Sequence, residues 1–94
     1  MGSPAMGFLH VVMVGRIMDP VHADYRITFT PLEDPLRDRR HVTRQGLDAL
    51  TDFLRLAGVP SPEIERTWRT LARDRAHSIP RIALTPAQVE ALGL

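Results

Sequence analysis

The chain of 94 residues has no cysteine, no lysine and no asparagine, and three phenylalanines, one tyrosine and one tryptophan are its only aromatics. Without cysteine there is no disulfide framework, no thiolate metal site and no cysteine nucleophile. So few rings cannot supply a single-strand binding surface of interleaved aromatics and arginines. The longest apolar run, Phe8 to Val14, is interrupted by His10. It is far shorter than the roughly 20 residues that a membrane span requires, and no basic segment precedes it as in a signal peptide. The expectation is a cytoplasmic protein with no membrane partner. No HExxH, Gly-rich phosphate loop or GxSxG elbow occurs, so the sequence marks no catalytic residue, no cofactor-binding residue and no metal ligand.

What remains is an ordinary globular composition, 44% hydrophobic and 24% charged, far from the signature of disorder. A chain of this length forms one domain that buries about 60 to 65% of its unfolded surface. Met1-Gly-Ser-Pro-Ala reads as an appended remnant with Met6 as the natural start, so residues 1–6 are set aside as a remnant or tail, and 7–94 form a single α+β domain. All twelve basic residues are arginine and the net charge is only +1, too small to draw the whole chain to a polyanion. Locally, Leu36 to Gln45 sets Arg37, Arg39, Arg40 and Arg44 against Asp38 alone. A solvated loop and helix entrance is the preferred reading of this basic spot, ahead of a patch for phosphate or an acidic partner.

Gly7 to Met18 is rich in β-branched residues and apolar on both alternating faces, with Phe8, Val12 and Val14 on one and Leu9, Val11, Met13 and Ile17 on the other. That pattern predicts a strand covered on two sides. Asp19 to Asp24 supplies turn chemistry, and Tyr25, Ile27 and Phe29 then alternate with Arg26, Thr28 and Thr30 as in a half-exposed strand. Thr43 is the expected N-cap of a first helix carrying Leu47, Leu50, Phe53, Leu54 and Ala57 up to Gly58. Ser61 and Pro62 open a second, with Ile64, Trp68, Leu71 and Ala72 as its apolar stripe and an end near His77. Arg81 to Leu84 suits a short third strand, and Thr85, Pro86 and Gln88 form a capping box for a last helix stopped by Gly93. The expected fold is α+β: an N-terminal antiparallel β-hairpin, with a short third strand, packed against two or three C-terminal helices. The second face of the first strand then needs a cover, for which a second copy of the chain is preferred over Leu94 and the last helix folding back.

The stretch Leu56 to Trp68, LAGVPSPEIERTW, resembles a helix-turn-helix over about twenty residues, with Gly58 in the turn and Val59 as its apolar plug. Two features oppose that reading. Leu54 stands where the motif usually has a small residue, and Glu63 and Glu65 would enter the groove with the wrong charge. Arg66, Arg69 and Arg73 share a stripe further along, where Glu65 offers an ion pair to Arg69. Asp19, His22, Asp24 and Tyr25 fall close together, but turn chemistry outweighs a cation or acid-base site there. His10 reads as a satisfied core or interface histidine, and His77 as one placed at a helix C-terminus.

Three function classes follow. The first is a small non-enzymatic interaction or regulatory module, homodimeric through its sheet, that presents a sheet face or the arginine-bearing loop to a protein partner. The second is DNA binding through the hairpin 47–75, with Arg66, Arg69, Arg73 and also Arg37, Arg39, Arg40 and Arg44 on phosphates. The third is a small ligand-binding protein or enzyme using His22 or His10 with a nearby aspartate.

Overall fold

The computed structural model describes residues 3–33 and 40–94. In chain order the elements are β1 (Ala5–Val14), β2 (Asp24–Pro31), β3 (Arg40–Gln45), α1 (Leu47–Leu56), α2 (Ser61–Asp74), β4 (Ala76–Leu84) and α3 (Pro86–Leu92). The strands form one antiparallel sheet in the order β3-β2-β1-β4. The fold is α+β, but its layout is not a hairpin followed by helices. The sheet has four strands, three of them preceding α1 and the fourth separating α2 from α3.

β3 lies partly where a loop and a helix entrance were expected, so Thr43 is not a helix cap. It pairs with Arg26 in the middle of β3. Only Val42 is apolar in this strand, yet its core-facing arginines have structural uses. The guanidinium of Arg44 sits 5.4 Å from the centre of the Phe53 ring and donates at 2.7 Å to the Leu92 carbonyl, one of those left over at the end of α3. Arg40 donates to the Leu94 carbonyl. Long polar side chains thus cover apolar surface while satisfying helix-end carbonyls. Gly46 then turns the chain at φ 88° into α1 without a side-chain cap. Its N–H and that of Leu47 bond to the carbonyls of Ala23 and Val21.

Helix α2 departs from expectation at both ends. Pro60, not Ser61, is its N-cap, and the Pro60 carbonyl accepts the N–H groups of Glu63 and Ile64. The helix stops at Asp74 with Arg75 left-handed at φ 63°, because β1 claims the next residues: Met13 donates to the Arg75 carbonyl and Val11 pairs with His77. Sheet pairing overrides local helix propensity here. The buried stripe is Ile64, Thr67 and Leu71 with Trp68 beside it, while Ala72 is exposed. α3 carries the expected capping box between Thr85 and Gln88, and Gly93 ends it at φ 78°.

Strand β4 runs the length of Ala76–Leu84, not only its last four residues, and contains a bulge. Gly7 pairs with Ile82 and Leu9 with Ile79, so both Pro80 and Arg81 lie opposite Phe8. The extra residue lets Ile79, Ile82 and Leu84 all face the core, which strict alternation forbids. Arg81 accepts φ 57° in consequence, a conformation that costs a non-glycine residue about 1–2 kcal/mol.

One face of the sheet meets the helices. Leu9, Val11, Tyr25, Ile27, Phe29, Ile79, Ile82 and Leu84 pack there with Leu50, Phe53, Leu54, Ile64, Leu71 and Leu92. Leu94 joins this same cluster, so neither it nor α3 folds across the opposite face. Two-sided cover of β1 is not provided by the described residues. Ile17 lies beyond the strand and is exposed.

Gly7 is needed for space. A Cβ there would stand 2.4 Å from the Thr30 carbonyl oxygen and 2.8 Å from the Phe29 ring. Gly7→Ala is expected to cost about 1–3 kcal/mol through overpacking, seen as a fall of roughly 5–20 °C in Tm by circular dichroism. Arg75→Gly, relieving a left-handed arginine at a helix end, is expected to raise Tm in the same assay.

Candidate functional site

The uncovered sheet face is assembled by strand alternation. Its axis is the outward side of β1, where Met6, Phe8, His10, Val12 and Val14 follow one another. Cross-strand register adds the flanks. Phe8 pairs with Thr30, His10 with Thr28 and Ser78, Val12 with Arg26 and Ala76, and Val14 with Asp24. Met6 is 45% and Phe8 36% exposed. His10 Nδ1 lies 2.8 Å from the Ser78 hydroxyl, and Thr28 stands between His10 and His41 in the register of three strands. The formal charges along this register are Asp24 and Arg26 together at one end, and Arg81 of the β4 bulge opposite Phe8 toward the other. A central apolar strand bordered by threonines, serine and alanine suits a dry contact with another surface more than it suits a polyanion.

The arginines singled out from sequence do not gather on this face. Arg37 and Arg39 lie outside the described residues. Arg40 and Arg44 reach toward the end of α3 from β3, one edge of the sheet. Arg66, Arg69 and Arg73 lie on α2, which packs on β4 and β1 toward the other edge. Each has an acid within reach: Arg66 and Glu63 at 3.2 Å, Arg69 and Glu65 at 3.9 Å, Arg73 and Asp74 at 3.0 Å. The α1–α2 hairpin is tied internally by the Trp68 indole N–H donating at 3.0 Å to the Thr51 hydroxyl. Its tryptophan is therefore occupied in the fold.

The β1–β2 loop uses its acid and histidine on itself. Asp19 accepts from the Val21 N–H at 3.1 Å and lies 2.5 Å from His22 Nδ1. The Tyr25 hydroxyl donates to the Pro20 carbonyl, and burial pushes that phenol up from its ordinary value. Asp24 belongs to the open face and pairs with Val14. The four residues close in sequence thus divide between a self-bonded turn and the sheet. Among the described residues no group of three or more histidines and acids is placed to hold a metal ion, and no helix is long and apolar enough to cross a membrane.

Sequence reasoning missed two pairings. Ser78 partners His10 from 68 residues away. His77, expected at a helix end, instead lies in β4 and reaches Glu63 Oε1 at 3.4 Å. Neither partner is signalled by local spacing; only the sheet register brings them together. No protein family, curated protein or solved structure matches the chain.

The His22 hydrogen bond, with help from the Val21 N–H, holds the Asp19 carboxyl below the ordinary aspartate value. The carboxylate form therefore favours the folded turn above the ordinary value, and that contribution is lost as pH falls through the lowered one. In a carboxyl-carbon NMR titration Asp19 is expected to titrate below ordinary aspartate, and His22→Ala to return it most of the way. An unshifted Asp19 in the unaltered protein would contradict this turn geometry.

Proposed function

We propose that this protein is a small non-enzymatic interaction module that self-associates through the open face of its sheet. The observation carrying this reading is the outward side of β1, the apolar residues Met6, Phe8, Val12 and Val14 in the middle of a face that none of the described helices covers. Burying such side chains is favourable by about 25 cal/mol per Å² of apolar surface. A second copy fits for three reasons. The patch is self-complementary in character, since apolar residues dominate its middle and the oppositely charged Asp24 and Arg26 sit at one end. Its size is adequate: four strands about 4.8 Å apart and several residues long offer roughly 500 Å² each, so a pair reaches the approximate 1,000 Å² of a specific interface. Two sheets also pack face to face readily, about 10 Å apart and within about 30° of aligned.

The DNA-binding reading has less to rest on. α2 enters any groove with Glu63 and Glu65, and its arginines are held by acids of the same helix. A catalytic reading needs a pocket joining a histidine to a carboxylate, and the half-buried His77–Glu63 pair opens into the neighbouring groove only through Glu63.

Sedimentation equilibrium at tens of micromolar is expected to give a dimer. Val12→Asp and Phe8→Asp, both on the open face, should raise the dimer Kd at least about tenfold, since each places a charge in an apolar contact. Circular dichroism of the variants should stay that of the folded chain. A monomeric unaltered protein, or variants that are folded and still fully dimeric, would overturn the proposal.

A further inference from the structure

A groove of about 530 Å³ lies between the α1–α2 turn, the bulge of β4 and the first turn of α3. That volume falls within the roughly 300–1,000 Å³ of small-molecule sites. Its apolar floor comes from Ala57, Val59, Ile79 and Ile82. Pro60 and Pro80 stand in its walls with fixed φ, so the groove is largely preformed.

The polar groups around it are engaged, with one exception. Glu63 uses one carboxylate oxygen on His77 and the other on Arg66. Gln88 donates its amide N–H to the Leu56 carbonyl and accepts the Thr85 N–H on its oxygen. The Arg81 side chain makes no ion pair or hydrogen bond among the described residues. Its backbone is held at φ 57° by the bulge, which fixes the point from which the guanidinium projects. The groove therefore combines an apolar floor with one uncompensated cation.

We propose that this groove binds a small amphipathic anion, its apolar body against Val59, Ile79 and Ile82 and its acid group on Arg81. A guanidinium suits this role because its planar donors match the two oxygens of a carboxylate or sulfonate. A cationic ligand meets no free acid here, because both oxygens of Glu63 are occupied by basic partners. The site lies at the β4 edge beside α2, on the strand next to β1; its wall of Gly58, Val59 and Pro60 belongs to the helical side and sets it apart from Val12 and Val14 of the open face.

Anilinonaphthalene sulfonate is a suitable probe, with N-phenylnaphthylamine as its uncharged counterpart. The sulfonate is expected to bind saturably at one site per chain, to shift the amide resonances of Gly58, Val59 and Ile79, and to bind at least about tenfold more tightly than the neutral probe. Arg81→Gly keeps the left-handed backbone and removes only the side chain, so the fold persists. It should weaken sulfonate binding about tenfold or more and leave the neutral probe unchanged, while Arg81→Lys retains part of the affinity. Equal binding of the sulfonate by Arg81→Gly and the unaltered chain, equal binding of the two probes, or shifts confined to the Phe8 and Val12 region would overturn the proposal.

Discussion

A strand's side chains alternate, so β1 can offer only one of its two apolar faces to the helices. Everything else in the fold is arranged around which face that is. Leu9 and Val11 go inward, fully buried, and the choice is enforced from both sides. On the β2 side, Gly7 leaves room for the Phe29 ring. On the β4 side, the extra residue at Pro80 and Arg81 realigns Ile82 and Leu84 onto the core. A one-residue slip would exchange Leu9 and Val11 for Phe8, His10 and Val12 and bury a histidine under the helices. The strained backbone of Arg81 is the local cost of avoiding that slip.

Much of this was readable beforehand. The two-sided apolar character of β1, the alternation of Tyr25, Ile27 and Phe29, the two amphipathic helices and the capping box of α3 all follow from periodicity and turn chemistry. What escaped reading depended on contacts distant in sequence. β3 carries a single apolar residue, Val42, and becomes a strand because β2 supplies its hydrogen bonds and because Arg44 covers Phe53 and a helix end. The early end of α2 is set by the pairing of His77 with Val11, not by anything near Asp74. In the same way the open face was legible as a requirement for cover on both sides of β1, whereas Ser78 and the bulge that border it were not.

Charge follows a similar logic. The arginine stripe of α2 looks available in a helical projection, but acids one to four residues away neutralise it along the same surface. Such exposed pairs add little stability; their effect is to flatten the field of the helix. The β1–β2 loop shows the same economy, since Asp19 spends its oxygens on the loop's own N–H and histidine.

The bulge also governs how the sheet ends. Edge strands invite further strands to join them, and β3 and β4 are the edges here. Pro80 has no N–H to give an incoming strand, and the irregular backbone around it breaks the straight ladder such a strand would need. On the opposite border β3 presents arginines, histidine, threonine and glutamine around Val42, a sequence poor in the apolar content that drives strand addition. With both borders blunted, the direction left for β-mediated growth is perpendicular to the sheet. The self-association proposed above, stacking in that direction, would use up the open face in one event and so give a closed pair, not an open filament.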